Sequence, residues 1–164
     1  MKTDTPTAPG RLRLLVLALQ RDLHRLLGEA LAAAGVTPAQ AEVLAVLAAQ
    51  APLTLHALGE RLVCETGSPS RLADGLVRAG LVARAPAPGD GRKVLLRLTP
   101  AGEARAAAVA VAEAEFEAEL AAMLAGQPVA EVNGTLWRLV RLLPSARALR
   151  LRFGPARPVG VRAR

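Results

Sequence analysis

Between Arg11 and Ala34, leucines at 12, 15, 19, 23, 26 and 27 return at steps of three and four, the repeat of one helix face; Gly35 provides the stop. Thr37-Pro38-Ala39-Gln40 then has the form of a capping box, with Thr as N-cap, Pro in the first turn and Gln reaching back. It opens a helix that carries Val43, Leu44 and Leu47 on one face and stops before Pro52. Leu53 suits a strand of one or two residues. Thr54 caps a short helix with Leu55, Leu58 and Leu62 inward, and a break covers Val63 to Gly67. Ser68-Pro69 restarts a helix to Ala79 with Leu72, Leu76 and Val77 inward, ended by Gly80. Two β-like runs, Leu81–Ala85 and Val94–Leu98, flank Pro86 to Lys93, which is turn chemistry throughout. Thr99-Pro100 caps an alanine-rich helix to about Ala125, and Val129–Leu143 forms the last one.

The pattern predicts a mainly α chain with a small β-hairpin: two short helices joined by a tight turn and followed by a wing, a winged helix-turn-helix over about 52–99. In such a unit the second helix enters the major groove, its early outer positions meeting base edges and its amides favouring phosphate. The candidate contacts on this recognition helix are Thr66, Ser68, Pro69, Ser70 and Arg71. Arg71 suits a guanine edge or a phosphate, and the sequence leaves both open. Arg92 and Lys93 at the wing tip suit the neighbouring minor groove. Asp90 would repel phosphate there and reads better as the carboxylate that orients Arg92.

Composition sharpens this picture. Apolar residues make up 52% of the 164, but aromatics only 2%, so Leu, Ala and Val must build the core and no platform for stacking single-stranded bases exists. The net charge of +7 is unevenly placed. Six arginines and no acid lie in Ser145–Arg164, Thr54–Thr99 has seven basic residues against four acidic, and Pro100–Leu124 has one Arg against five Glu. Charge alone leaves two readings level: a phosphate-facing surface, or a solvated surface with an Arg-rich end. No spanning helix or secretory leader is evident, and Cys64 has no second cysteine to pair with, which fits a reducing cytoplasm. The helices at both ends are too apolar for one chain's core to cover and call for a partner chain.

Other chemistry is sparse. Cys64 lies just before the recognition helix, where a thiol can be activated, but an inward apolar residue is expected there, so burial is the stronger reading and redox sensing the weaker. His24 and His56 stand apart without further ligands, so no metal site is expected. Glu113, Glu115, Glu117 and Glu119 spread around a helix as a solvated surface. No phosphate loop, nucleophile elbow or catalytic triad is present, and neither enzyme activity nor a cofactor is expected. Gly154, Pro155, Pro158 and Gly160 argue for disorder from Ser145 onward.

The runs LTLHALGERL, SPSRLADGLVRAGLVAR and GDGRKVLLRLTPAGEA resemble the MarR family of transcriptional regulators. The resemblance rests on Ser70-Arg71-Leu72 with Asp74 and Leu76, on Gly80-Leu81-Val82, on Asp90-x-Arg92, and on Leu98-Thr99-x-x-Gly102; it covers about Arg11 to Leu143. It implies an obligate homodimer with interleaved terminal helices, palindromic operators, and repression relieved by a small, often phenolic ligand or by oxidation. Gly89 and Gly91 replace more basic residues common in the family, and Glu65 stands where many relatives have a capping Ser or Thr, leaving the helix start near Glu65 or at Ser68.

The expected organisation is a flexible arm at 1–10, a domain at 11–144 with dimerisation helices 11–34, 100–125 and 129–143, and a disordered basic tail at 145–164. The expected function is that of a cytoplasmic repressor, a homodimer on duplex DNA, released by an effector of unidentified class, with no membrane association. Two modules related by a two-fold axis would read half-sites about one helical turn (~34–36 Å) apart. The alternative is a winged-helix module for protein–protein contact, with Arg71 and Arg92 incidental surface charge.

Overall fold

The computed structural model describes residues 7–63, 68–87 and 90–154. Among these the order is α1 (Ala8–Ala30), α2 (Pro38–Gln50), β1 (Leu53–Thr54), α3 (Leu55–Gly59), α4 (Pro69–Arg78), β2 (Val82–Ala87), β3 (Asp90–Leu98), α5 (Pro100–Met123), α6 (Val129–Val140) and α7 (Ala146–Phe153). The chain is mainly α with one three-stranded antiparallel sheet, ordered β1-β3-β2. None of the described helices is long and apolar enough to cross a membrane.

The core forms around α2. Its capping box is complete: Gln40 N–H donates to Thr37 Oγ1 at 3.3 Å and Thr37 N–H to Gln40 Oε1 at 3.0 Å. Val43, Leu44 and Leu47 are buried as expected, but so are Ala39, Ala41, Glu42 and Val46. The expectation of a single apolar face is therefore corrected: α2 is surrounded, packing on α1, α4, α5 and β3. Around it close Leu31, Leu58, Ala73, Leu76, Val82, Leu96, Ala106 and Val109. Each such buried Leu or Val contributes about 1.5–3 kcal/mol by leaving water.

Three expectations are corrected at element ends. The N-terminal arm gives way at Ala8 to α1, because Thr7 accepts from Gly10 N–H at 3.3 Å and Pro9 sits in the first turn, where no donor is needed; residues 1–6 lie outside the described ones. The long turn expected over 86–93 is mostly strand. β2 runs to Ala87 and β3 starts at Asp90, with Pro86 opposite Val94 and a register shift between Pro86 and Ala87. β2 is an edge strand, which is where a sheet tolerates proline. Finally, the tail from Ser145 is helical over Ala146–Phe153, with Ala146 and Ala148 buried. The glycines and prolines cited against helix all fall at 154 and beyond; 155–164 lie outside the described residues.

α7 packs back on the winged unit. Arg152 pairs with the buried Glu42, Arg147 NH2 lies 2.7 Å from Glu60 Oε1, and Gln50 Nε2 donates to Leu151 O at 3.4 Å. Glu113 of α5 faces the same cluster. Partial burial pushes its carboxyl above the ordinary 4.5; Arg152 opposes this, and Glu117 and Glu42 add to it. A carboxyl raised on folding stabilises the fold when protonated, and that contribution is lost as pH rises through the raised value. Glu113→Gln is therefore expected to be more stable than the parent at pH 7, the gap closing below about pH 4 where both side chains are neutral. Urea midpoints at the two pH values measure it, and a variant no more stable at pH 7 counts against this account.

Candidate nucleic-acid interface

α3 and α4 are the two helices of the helix-turn-helix. Thr54 Oγ1 accepts from Ala57 N–H at 3.1 Å to start α3, and Ser68 Oγ accepts from Ser70 N–H at 3.3 Å to start α4. The described recognition helix thus begins at Pro69 with Ser68 as N-cap, the later of the two starts the sequence allowed. Leu76 is 1% exposed and anchors the inner face together with Ala73, which the leucine pattern alone did not single out. Leu72 and Val77 are only partly buried against this core.

The opposite side of α4 is open. Ser68 and Arg71 are exposed, and Pro69 and Ser70 are partly so, with Pro69 lying beside Gly59 of α3. A groove of about 510 Å³ runs between the two helices, lined by Leu55, His56, Glu60, Ser68, Pro69 and Ser70. Gly80 leaves α4 at φ +70, a left-handed conformation glycine adopts without strain. Leu81 N–H then donates to Leu76 O at 2.9 Å, so helix and wing join without slack. Asp74 of α4 pairs with Arg84 of β2, a second tie between the same elements.

On the wing, β2 and β3 pair from Val82–Leu98 to Pro86–Val94, and Leu53 of β1 sits opposite Leu96. Lys93 and Arg97 are exposed on β3. The structure brings Ser68, Pro69, Ser70 and Arg71 together on one helix end and carries Lys93 on the wing. Cys64, Thr66 and the side chains of Asp90 and Arg92 lie outside the described residues, so their expected roles gain nothing from the geometry. The Asp74–Arg84 pair was missed in sequence; an acid on the helix and a base on the following strand, ten residues apart, was the available signal.

A second recess lies at the base of the wing. It has about 690 Å³ and is lined by Leu47 and Ala48 of α2, Pro52, Arg97 and Leu98 of β3, and Glu103 and Ala106 of α5. Its walls are largely apolar with one base and one acid.

The sequence model of the MarR family matches residues 34–93. The Multiple antibiotic resistance protein MarR of Escherichia coli (strain K12) is 37% identical over 90 residues, an alignment spanning 55% of this chain and 62% of that protein. Among solved structures, a cysteine variant of MarR from E. coli in complex with operator DNA superposes with a TM-score of 0.71 at 30% identity, over 79% of this chain and 94% of that one. The PcaV transcriptional regulator of Streptomyces coelicolor gives 0.67 at 28% identity, over 83% and 97%. The superpositions cover 94% and 97% of those two solved chains, and the chain belongs to the MarR family of transcription regulators.

Proposed function

We propose that two copies of this chain bind a palindromic operator in duplex DNA and repress transcription, and that a small molecule in the recess at the base of the wing releases them. The observation that carries the reading is the open N-terminal end of α4: small hydroxyl residues and Arg71 point away from the core while Leu76 anchors the helix from behind. Such an end fits a groove about 12 Å wide. Ser68, Pro69, Ser70 and Arg71 are its contacts, with Thr66 beside them; Lys93 and Arg92, oriented by Asp90, serve the wing. The operator complex of the similar E. coli protein supports this use of the fold.

Two copies are favoured by the ends of the chain. Leu12, Leu14, Leu15, Val16, Leu17 and Leu19 of α1 are exposed, and so are Val132, Leu139, Leu142 and Leu143 in and after α6. That much apolar surface is what a partner's terminal helices would cover. The pieces 11–34, 100–125 and 129–143 are the dimerisation helices of this reading.

Selection from random duplexes, followed by sequencing of the retained fragments, tests it. A palindrome should emerge, and Arg71→Ala should weaken binding to it by about 1–3 kcal/mol if Arg71 reads a base edge. An absence of enriched sequence overturns the reading in favour of a protein-contact module. An Arg71→Ala variant that binds like the parent removes Arg71 from the interface.

A further inference from the structure

Glu42 is the one buried charged residue among the described ones, at 6% exposure. It sits in the middle of α2, and its Oε1 accepts from two directions. Val63 N–H donates to it at 2.8 Å, and Arg152 of α7 donates from its guanidinium. Val63 lies five residues before Ser68, the N-cap of the recognition helix. One carboxylate therefore joins the central helix, the chain leading to α4, and the last described helix.

α7 holds the same region at two further points. Arg147 reaches Glu60, the C-cap of α3, which lines the groove beside Ser68 and Ser70. Arg61 Nε donates to Gln50 Oε1 at 2.5 Å, while Gln50 Nε2 donates to Leu151 O. Ala146 and Ala148 of α7 are buried. All of these contacts fall on α2, α3 and the residues just after α3; none involves the open side of α4.

We propose that Arg152 and Glu42 are positioning residues for DNA binding: α7 is a brace that fixes where the chain leaves α3 and hence where α4 begins. The inference rests on the DNA-binding reading above and names a control over the same site. A buried carboxylate is tolerated only while its partners compensate the water it has lost. Without Arg152 the buried charge of Glu42 loses its guanidinium partner, which loosens the hydrogen bond to Val63. Without that charge, a neutral amide in its place still accepts from Val63 and no longer needs the guanidinium. The two residues are thus coupled in a defined sense: losing the arginine harms binding only while the carboxylate is present.

Full-length Arg152→Ala, Glu42→Gln and the double variant test this against the duplex enriched by the selection, across a salt series. Arg152→Ala should bind about tenfold more weakly at every salt concentration, while the double variant recovers most of the loss. The slope of log affinity against log salt should be unchanged, because Arg152 meets a carboxylate and not a phosphate. Deuterium uptake at Val63, measured without DNA, should rise in Arg152→Ala and return in the double variant. Parental binding and exchange in Arg152→Ala overturn the proposal. So does a slope reduced by about one unit, which would make Arg152 a direct phosphate contact, and so does a double variant no better than the single one. A parent protein that selects no duplex sinks the DNA reading alone, and the exchange measurement still decides whether α7 braces the turn.

Discussion

Gly102→Ala is expected to abolish the native fold, or to destabilise it by about 4 kcal/mol or more, the range reserved for substitutions that force the backbone to move. Gly102 lies in the first turn of α5, where its N–H donates to Thr99 Oγ1 at 3.0 Å. A methyl group there would come within 2.9 Å of the Leu81 carbonyl carbon and nearer still to its oxygen. That oxygen already accepts from Thr99 N–H at 3.1 Å, and Thr99 Oγ1 donates to Gly80 O at 2.7 Å. Two backbone segments, Gly80–Leu81 and Thr99–Gly102, meet at this corner, so the clash has no flexible side chain to absorb it. Gly75, inside α4 with nothing near its missing Cβ, is the control. Its alanine variant should gain up to about 1 kcal/mol from helix propensity alone. Urea unfolding followed by circular dichroism separates the two, and a folded Gly102→Ala with a parental midpoint would show that the corner yields.

Leu76→Ala is expected to cost about 2–5 kcal/mol, the range for truncating a fully buried leucine. Leu76 is 1% exposed and belongs to the central cluster with Leu44, Leu47 and Ala73. Because it anchors α4 from beneath, the same change should weaken DNA binding at temperatures where the variant is still folded. Arg71→Ala should do the reverse, losing affinity with an unaltered unfolding midpoint, since Arg71 is exposed and outside the core. Measuring midpoint and affinity for both variants distinguishes support from contact. A Leu76→Ala midpoint within about 1 kcal/mol of the parent would mean the cavity collapses readily, or that α4 is held elsewhere.

Local chemistry made most of the fold readable. Thr37-Pro38, Ser68-Pro69 and Thr99-Pro100 all cap helices where their side chains and fixed φ suggest, because capping is decided within four residues. What escaped was decided at longer range. Glu42 looks like any surface acid on α2 until its partner, 110 residues further on, is brought to it. α7 was hidden because its helix breakers all follow it, and its burial comes from small alanines rather than a leucine stripe. The wing strands extended past Pro86 because pairing with β3 outweighs turn preference on an edge. Of the candidate interface, the exposure of Ser68 and Arg71 was legible from the inward leucine spacing of α4; its tie to the wing through Asp74 and Arg84 was not.

That tie has a consequence for control. Helix and wing are fastened by the Asp74–Arg84 pair and by the Leu81–Leu76 backbone bond, so the two elements would move together as one jaw. In the two-copy molecule proposed above, a ligand in the recess at the base of the wing would then act on the gap and tilt between the two jaws, as the arms of a calliper are set at the hinge and not at the tips.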